Sequence, residues 1–317
     1  MSTEASAAAV PRPEFLALGS FYKSELEPWL QEHEGRRLRA RRLRWFIIAA
    51  GWAALAAWVY YLVAVAEDAD DFWFWLIFFV AIGVAIAGNI PLMSLQADVK
   101  KFVMNALAGF FKFSYEAKPS FDGVDLFRDL ELLPYHTSAS FEDGLAGEIK
   151  GVPFRMVEAK LTERRGTGKS AKTVTVFRGL LLRLPCQVTG PLAVWRREHA
   201  PHTLNDEWRE CKLGDPAFDQ TYIVHAANAE GAHQQLDAEA RRIFTALDTR
   251  DDVDNVRFGM AANNLLVVVE RGVDSFEAGK MNRPLADPDR IQDMVDLFAV
   301  PFDAVDAFKL RPAPPPA

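Results

Sequence analysis

The stretch that decides this protein's fold is WFIIAAGWAALAAWVYYLVAVA, Trp45 to Ala66, twenty-two residues without a charge. At 1.5 Å per residue, about 20 such residues reach across the roughly 30 Å hydrocarbon layer of a bilayer. A second uncharged run, FWFWLIFFVAIGVAIAGNIPLM, occupies Phe72 to Met93, and only EDADD (67–71) separates the two. Five residues can join two antiparallel helices and little else, so the sequence predicts a transmembrane hairpin with an external loop at 67–71. The competing readings fit worse. A pair of buried core helices needs no apolar runs this long, and a cleaved signal peptide would not start its apolar core at residue 45 and be followed by a second span.

Orientation follows from the flanks. Arg36, Arg37, Arg39, Arg41, Arg42 and Arg44 precede the first run, Lys100, Lys101 and Lys112 follow the second, and the connecting loop has four acids and no base. Basic flanks stay on the cytoplasmic side, so both termini are expected there, which for a bacterial chain means an inner-membrane protein. Six of the eight tryptophans fall in the first 75 residues, and Trp45, Trp58, Tyr60, Tyr61, Phe72, Trp73 and Trp75 fit aromatic belts at the two interfaces. The arginine cluster sets topology and could also meet anionic headgroups, each base being worth about 1 kcal/mol at such a surface. Ala49, Ala53 and Ala57 in the first run and Gly83 and Ala87 in the second recur four apart, a spacing for close helix approach within the hairpin or in a homo-oligomer. Asn89 reads as a helix–helix hydrogen bond or an interface residue rather than part of an ion path. Neither run contains Asp, Glu, Lys, Arg or His, which argues against an ion-coupled transporter.

Around the spans, residues 1–13 and 312–317 read as disordered tails. Residues 14–44 show helical spacing, with Pro28 marking a kink or a second start, and 94–118 read as a juxtamembrane amphipathic helix. From 119 to 311 the pattern is that of an α+β domain with a mostly antiparallel sheet of about seven strands and two helices. The strands fall at 144–151, 152–163, 172–185, 192–197, 220–226, 255–261 and 265–271, the last two meeting at Asn263-Asn264. One helix covers 230–248. The other starts at Asp287-Pro288, and Pro301 should kink or interrupt it. This region holds all the excess charge. Residues 1–118 balance 12 Lys and Arg against 12 Asp and Glu, and the remainder carries 24 against 31, the chain's net −7. Such an acidic domain repels phosphate backbones, so nucleic acid is not an expected partner.

RRGTGKSAK (164–172) contains Gly-Thr-Gly-Lys-Ser, the tail of a phosphate loop, but that motif needs glycine where Glu163 stands and a helix afterwards. KTVTVF follows instead, so the stretch is a hairpin tip. His199 and His202 with Cys211 are a weak metal set. Glu142, Asp143, Glu148 and Glu158 lie around one hairpin and could do acid–base work, though solvated strand faces carry such residues more often. His136, His225 and His233 are isolated, with His225 expected to make an ordinary hydrogen bond. Two cysteines are no disulfide framework, and Cys186 reads as partly buried and inert.

EDGLAGEIKGVPFRMVEAKL, VFRGLLLRLP, DPAFDQTYIVHAANAEGAHQQL and VRFGMAANNLLVVVERGVDSFEAG, in that order over roughly 115–300, resemble a family of bacterial membrane proteins catalogued as domain of unknown function 3137. Phe177-Arg178-Gly179 and Asp215-Pro216 with Phe218 are the most recognisable pieces. The resemblance implies membrane location and a shared domain and brings no activity. No catalytic residue, metal ligand or cofactor is therefore assigned. The leading expectation is a membrane-anchored, non-enzymatic domain on the cytoplasmic face that binds a protein or lipid or forms a homo-oligomer. The alternative is a membrane-proximal enzyme or ligand- or lipid-binding sensor using residues near 142–158 or 199–211.

Overall fold

A computed structural model describes residues 12–64, 71–201, 207–277 and 281–311. Residues 1–11, most of the loop at 67–71, His202 and the tail 312–317 lie outside the described residues. The chain divides into two compact units. One comprises residues 1–106 with 278–292, the other 107–277 with 293–317.

The first unit opens on a short 3-10 turn, Pro13–Phe15, and helix α1, Leu18–Phe21. A wide π turn, Tyr22–Leu26, then leads into α2, Glu27–Ala64. Pro28 lacks an N–H and its ring crowds the turn before it, which accounts for a widened turn just ahead of the proline. Helix α3 runs from Asp71 to Phe110 with Pro91 inside it. The helices are antiparallel. Trp58 meets Trp73 at 5.5 Å, Trp29 stacks on Phe102 at 3.9 Å, and Arg36 pairs with Asp98 at 3.3 Å. Both helices are long and apolar enough to cross a membrane, and only 11% of each apolar window is buried within the chain. Segment 281–292 is tied to this unit by polar contacts. Glu34 accepts from the Leu285 N–H at 2.9 Å, and Tyr22 donates to the Ala286 carbonyl at 2.8 Å.

The second unit is built, among the described residues, on one sheet of nine strands, two more than the sequence pattern suggested. They are β1 (Ser114–Glu116), β2 (Ser138–Ile149), β3 (Val152–Arg165), β4 (Lys172–Pro185), β5 (Leu192–Arg196), β6 (Arg209–Glu210), β7 (Tyr222–Ala226), β8 (Asn255–Ala261) and β9 (Asn264–Glu270). The spatial order is β1-β2-β3-β4-β9-β8-β5-β7-β6, and every pairing is antiparallel. The two additions are the short edge strands β1 and β6, which carry too few residues for a visible period. β1 lies where the amphipathic helix was expected to continue to 118. That helix stops at Phe110 because Lys112 turns left-handed (φ 59°) and Phe113 N–H caps the Ala108 carbonyl at 2.7 Å. The Phe113 ring then sits against Phe154 at 4.7 Å.

Among the described residues five helices, not two, accompany the sheet: α4 (Val124–Asp129), α5 (Pro216–Thr221), α6 (Ala229–Gln235), α7 (Ala238–Asp248) and α8 (Asp289–Ala307). The stretch expected as one helix over 230–248 divides because Asp237 leaves the helical conformation and caps α7, accepting from Ala240 N–H at 2.9 Å. α8 follows Asp287-Pro288 directly and continues past Pro301 to Ala307. The tight turn of the last hairpin is Ala262-Asn263, both left-handed, so Asn264 already belongs to β9. RRGTGKSAK is the tip between β3 and β4, with Gly166 and Gly168 at φ 84° and 61°. Strands flank it on both sides, so it is not a phosphate loop.

One sheet face buries Phe127, Leu132, Val157, Phe177, Leu181, Trp195 and Val268 beneath α4 and the segment after it. Helices cover the other face. Phe244 of α7 meets Phe258 at 4.8 Å, and Phe308, just past α8, reaches the same ring at 5.1 Å.

Candidate functional site

Beside that first core lies a cavity of about 740 Å³, within the range of small-molecule pockets. Its polar wall comes from β8. Alternate strand residues share a face, so Asn255 and Arg257 stand side by side, and the register sets Glu270 of β9 opposite Asn255. Arg257 is 8% exposed. Its Nε donates to the Leu132 carbonyl, its guanidinium lies 5.6 Å from the centre of the Phe177 ring, and its Nη2 is 3.0 Å from Glu270 Oε2. Burial pulls its pKa below the ordinary arginine value while Glu270 opposes that shift. Nη2 is thus held by the Glu270 carboxylate. Asn255 Oδ1, on a residue only 3% exposed, has no hydrogen-bond partner among the described residues.

The remaining walls are mostly apolar. Trp195 of β5 is 1% exposed, and Leu132, Leu133, Pro134 and Tyr135 form the opposite side. Val176 joins them through a bulge. Leu161 faces Phe177 and Thr162 faces Thr175, which leaves Val176 as the extra residue of β4, and it lines the cavity. Arg128, Glu131, His199, Pro201 and Asp254 complete the lining.

A second polar group lies on the helix-covered side of the sheet, where Arg178 and Glu158 point away from their neighbours Phe177 and Val157. A bulge in β2 between Glu142 and Leu145 holds Asp143 left-handed at φ 50°. One carboxylate oxygen each from Asp143, Glu158 and Asp274 lie within 4.8 Å of one another, a spacing a metal could use. The protein's own cation occupies the group. Arg178 donates through Nε to Glu158 at 3.2 Å and through Nη2 to Asp274 at 2.8 Å. Glu158 also accepts from the Ser275 N–H at 3.1 and 3.2 Å, and Tyr115 donates to Asp143 at 2.6 Å. Burial first and the Asp274 charge second push the Glu158 carboxyl up to about 7. Burial and Asp143 raise the Tyr115 hydroxyl. Of the acids singled out in the sequence, Asp143 and Glu158 come together here. Glu142 and Glu148 are exposed, Glu142 opposite Glu158 in the register and Glu148 opposite Pro153.

The other sequence candidates are placed as follows. Arg37 is 4% exposed and bound by Glu34 and the Met281 carbonyl, both at 3.0 Å. Arg36, Arg39 and Arg42 are exposed, and Arg41 and Arg44 half-buried. Ala49, Ala53, Ala57, Gly83 and Ala87 are all exposed in the chain. Close approach of α2 and α3 lies elsewhere. A Cβ on Gly51 would fall 2.3 Å from Val84, and one on Gly88 3.2 Å from Ile48. Asn89 bonds its own helix, donating to the Ala85 carbonyl at 2.7 Å. His199 is exposed at the cavity and Cys211 is buried. Cys186 is buried and unreactive, since burial pushes its thiol up to about 11. His225 lies edge-on to Trp195 at 5.9 Å, and its Nδ1 has no partner among the described residues, contrary to the hydrogen bond expected of it.

Sequence reasoning missed Asn255, Arg257, Trp195, Tyr115, Arg178, Asp274 and Ser275 as members of sites. One signal was present. In NVRFGMA, Asn255 and Arg257 alternate with Val256 and Phe258, which reads as a solvated face, whereas β8 is buried on both faces.

No curated protein matches this chain, and no solved structure matches it. Residues 175–310 match the family model described as Protein of unknown function (DUF3137), a stretch that begins within β4 and ends just past α8. Asn255, Arg257, Glu270, Trp195, Arg178 and Asp274 all fall inside it. These residues lie in the stretch that matches that family, whose activity is unknown.

Proposed function

We propose that this chain is a membrane-anchored binding protein whose sheet unit takes a small ligand into the cavity beside β8 and performs no chemistry on it. The observation that carries the reading is a cavity of about 740 Å³ walled by Trp195, Leu132 and Val176 with the polar side chains of Asn255, Arg257 and Glu270 among its lining. A mostly apolar cavity of this size with a few polar groups is the usual form of a small-molecule site. The anchor in this reading is α2 and α3 spanning a bacterial inner membrane, with both chain ends on the cytoplasmic side. Supporting it are the exposed Trp45, Phe46, Trp52, Tyr60, Val63, Trp75, Phe79 and Ile86, an apolar surface that water disfavours, and the arginine-rich flank. The test is to purify the full chain in detergent, denature it and analyse the released small molecules. A compound present in wild type and absent from an equally stable Val176→Trp variant supports the reading. Equal recovery from both, or from neither, overturns it.

The rival is an enzyme working at Asp143, Glu158 and Asp274. It is favoured by the Glu158 carboxyl near 7, where a side chain both gives and takes protons at neutral pH. Against it stands the Arg178 clamp on two of the three acids. Glu158→Gln with wild-type stability and a lost cellular phenotype would favour the enzyme.

A further inference from the structure

The six arginines ahead of the first apolar run do not share one role, and the difference picks out two of them. Arg37 is held inside the fold by Glu34 and the Met281 carbonyl, at 3.0 Å each. Arg36 pairs with Asp98 at 3.3 Å, and Arg44 lies 5.9 Å from the centre of the Trp45 ring. Arg41 is half-buried. Arg39 and Arg42 are exposed, and among the described residues neither has an ion pair or a hydrogen bond. They stand three apart on α2, so they are surface neighbours, about 5–6 Å apart at Cβ.

The surroundings supply no anion. Two contacts fix how the helices lie side by side. Arg36 meets Asp98, and a Cβ on Gly88 would fall 3.6 Å from the Arg44 carbonyl oxygen. Residues 37–44 of α2 therefore run beside 89–97 of α3, and neither stretch contains Asp or Glu. Segment 281–292 meets α2 lower down, at Glu34 and Arg37.

Position names the partner. At 1.5 Å per residue, Arg42 and Arg39 lie about 4.5 and 9 Å before Trp45, where the apolar run begins. A headgroup layer is about 5–7 Å deep on each side of the hydrocarbon, so the two guanidinium groups fall where lipid phosphates lie. An acidic protein would have to displace lipid to reach Arg42. Each guanidinium fork matches a pair of phosphate oxygens, and two forks side by side suit one phosphodiester. A zwitterionic headgroup adds a cation that Arg36, Arg41 and Arg44 repel.

We propose that Arg39 and Arg42 together bind the phosphate of an anionic phospholipid, an assignment that rests on α2 and α3 being the anchor described above.

The test offers phosphatidylglycerol to the full chain in neutral detergent, against phosphatidylcholine with the same acyl chains, and counts retained lipid by native mass spectrometry. At about fivefold per arginine, wild type should prefer phosphatidylglycerol roughly thirtyfold. Arg39→Gln with Arg42→Gln should lower that to about threefold or less. Arg164→Gln with Arg165→Gln, the same charge removed at the β3–β4 tip, should leave it. If the first double variant does not fold, Arg42→Gln alone should lose about fivefold. No preference in wild type, an unchanged preference without Arg39 and Arg42, or an equal loss in both double variants overturns the assignment. Displacement of the lipid by millimolar glycerol phosphate overturns the lipid as the source of the phosphate. The anchor fails separately. A chain that alkaline carbonate strips from vesicles is no anchor, whereas one that stays and shows no lipid preference loses only the headgroup site.

Discussion

The helix pair α2–α3 and the strand pair β8–β9 are both written in apolar residues, yet they meet opposite surroundings. Only 11% of each apolar window in the helices is buried, whereas six of the seven residues in β8 and in β9 are. The polar residues invert the pattern. Asn89 of α3 closes on its own backbone, so the helix asks nothing of its surroundings. The sheet instead draws Asn255, Arg257 and Glu158 inside, where each needs a partner from another segment. Apolar composition therefore does not say what a segment packs against. A helix satisfies its backbone alone and can offer its side chains to lipid, whereas a strand needs neighbours, and its neighbours bring a core.

Four substitutions test that contrast. The largest effect is expected in the sheet. A Cβ on Gly179 of β4 would lie 2.1 Å from the Val269 carbonyl oxygen, backbone against backbone. Gly179→Ala should cost about 3 kcal/mol or more, read as a fall in the unfolding midpoint of the detergent-solubilised chain. Next is a charge on the helix pair. Ala53→Arg, on an exposed position of α2, should lower membrane insertion by about 2.5–3.5 kcal/mol on a reporter of span integration. Ala246→Arg on the exposed side of α7 should stay within about 0.5 kcal/mol. Equal tolerance at the two alanines would erase the distinction.

The third concerns pH. The Glu158 carboxyl rises from 4.5 to about 7 on folding, so between those values the folded chain holds a proton that the unfolded chain releases. Its contribution is complete below about 4.5 and is lost as pH rises through 7. Glu158→Gln should remove that loss and leave the variant on the order of 1–3 kcal/mol better placed relative to wild type at pH 8 than at pH 5, by denaturant titration at both. A gap that does not change with pH would mean Glu158 is ionised throughout. The smallest effect is Gly51→Ala, whose Cβ meets only the Val84 side chain, at 2.3 Å. Helix propensity recovers part of that strain, leaving a net cost of about 1 kcal/mol or less.

Some of this was legible in the residues. The two long helices, seven of the nine strands, the glycine tip at 166–168 and the start of α8 just after Asp287-Pro288 all follow from local rules. Asp143 and Glu158 stood out as acids around one hairpin. Their partners did not, because Arg178 reaches them from β4 and Asp274 from the segment after β9. The bulges at Asp143 and Val176 escaped notice as well, since a bulge is a mismatch between two strands and neither strand records it alone.

The apolar runs, the basic flanks and the α+β pattern that follows can all be read along the chain, because each depends on neighbours a few residues apart. That β8 is covered on both faces emerges from the assembled sheet alone, and it turns Asn255 and Arg257 from apparent surface residues into the polar wall of a cavity. Burial depends on which strands flank a strand, and in this sheet β8 sits between β9, its neighbour in the chain, and β5, which lies some sixty residues earlier.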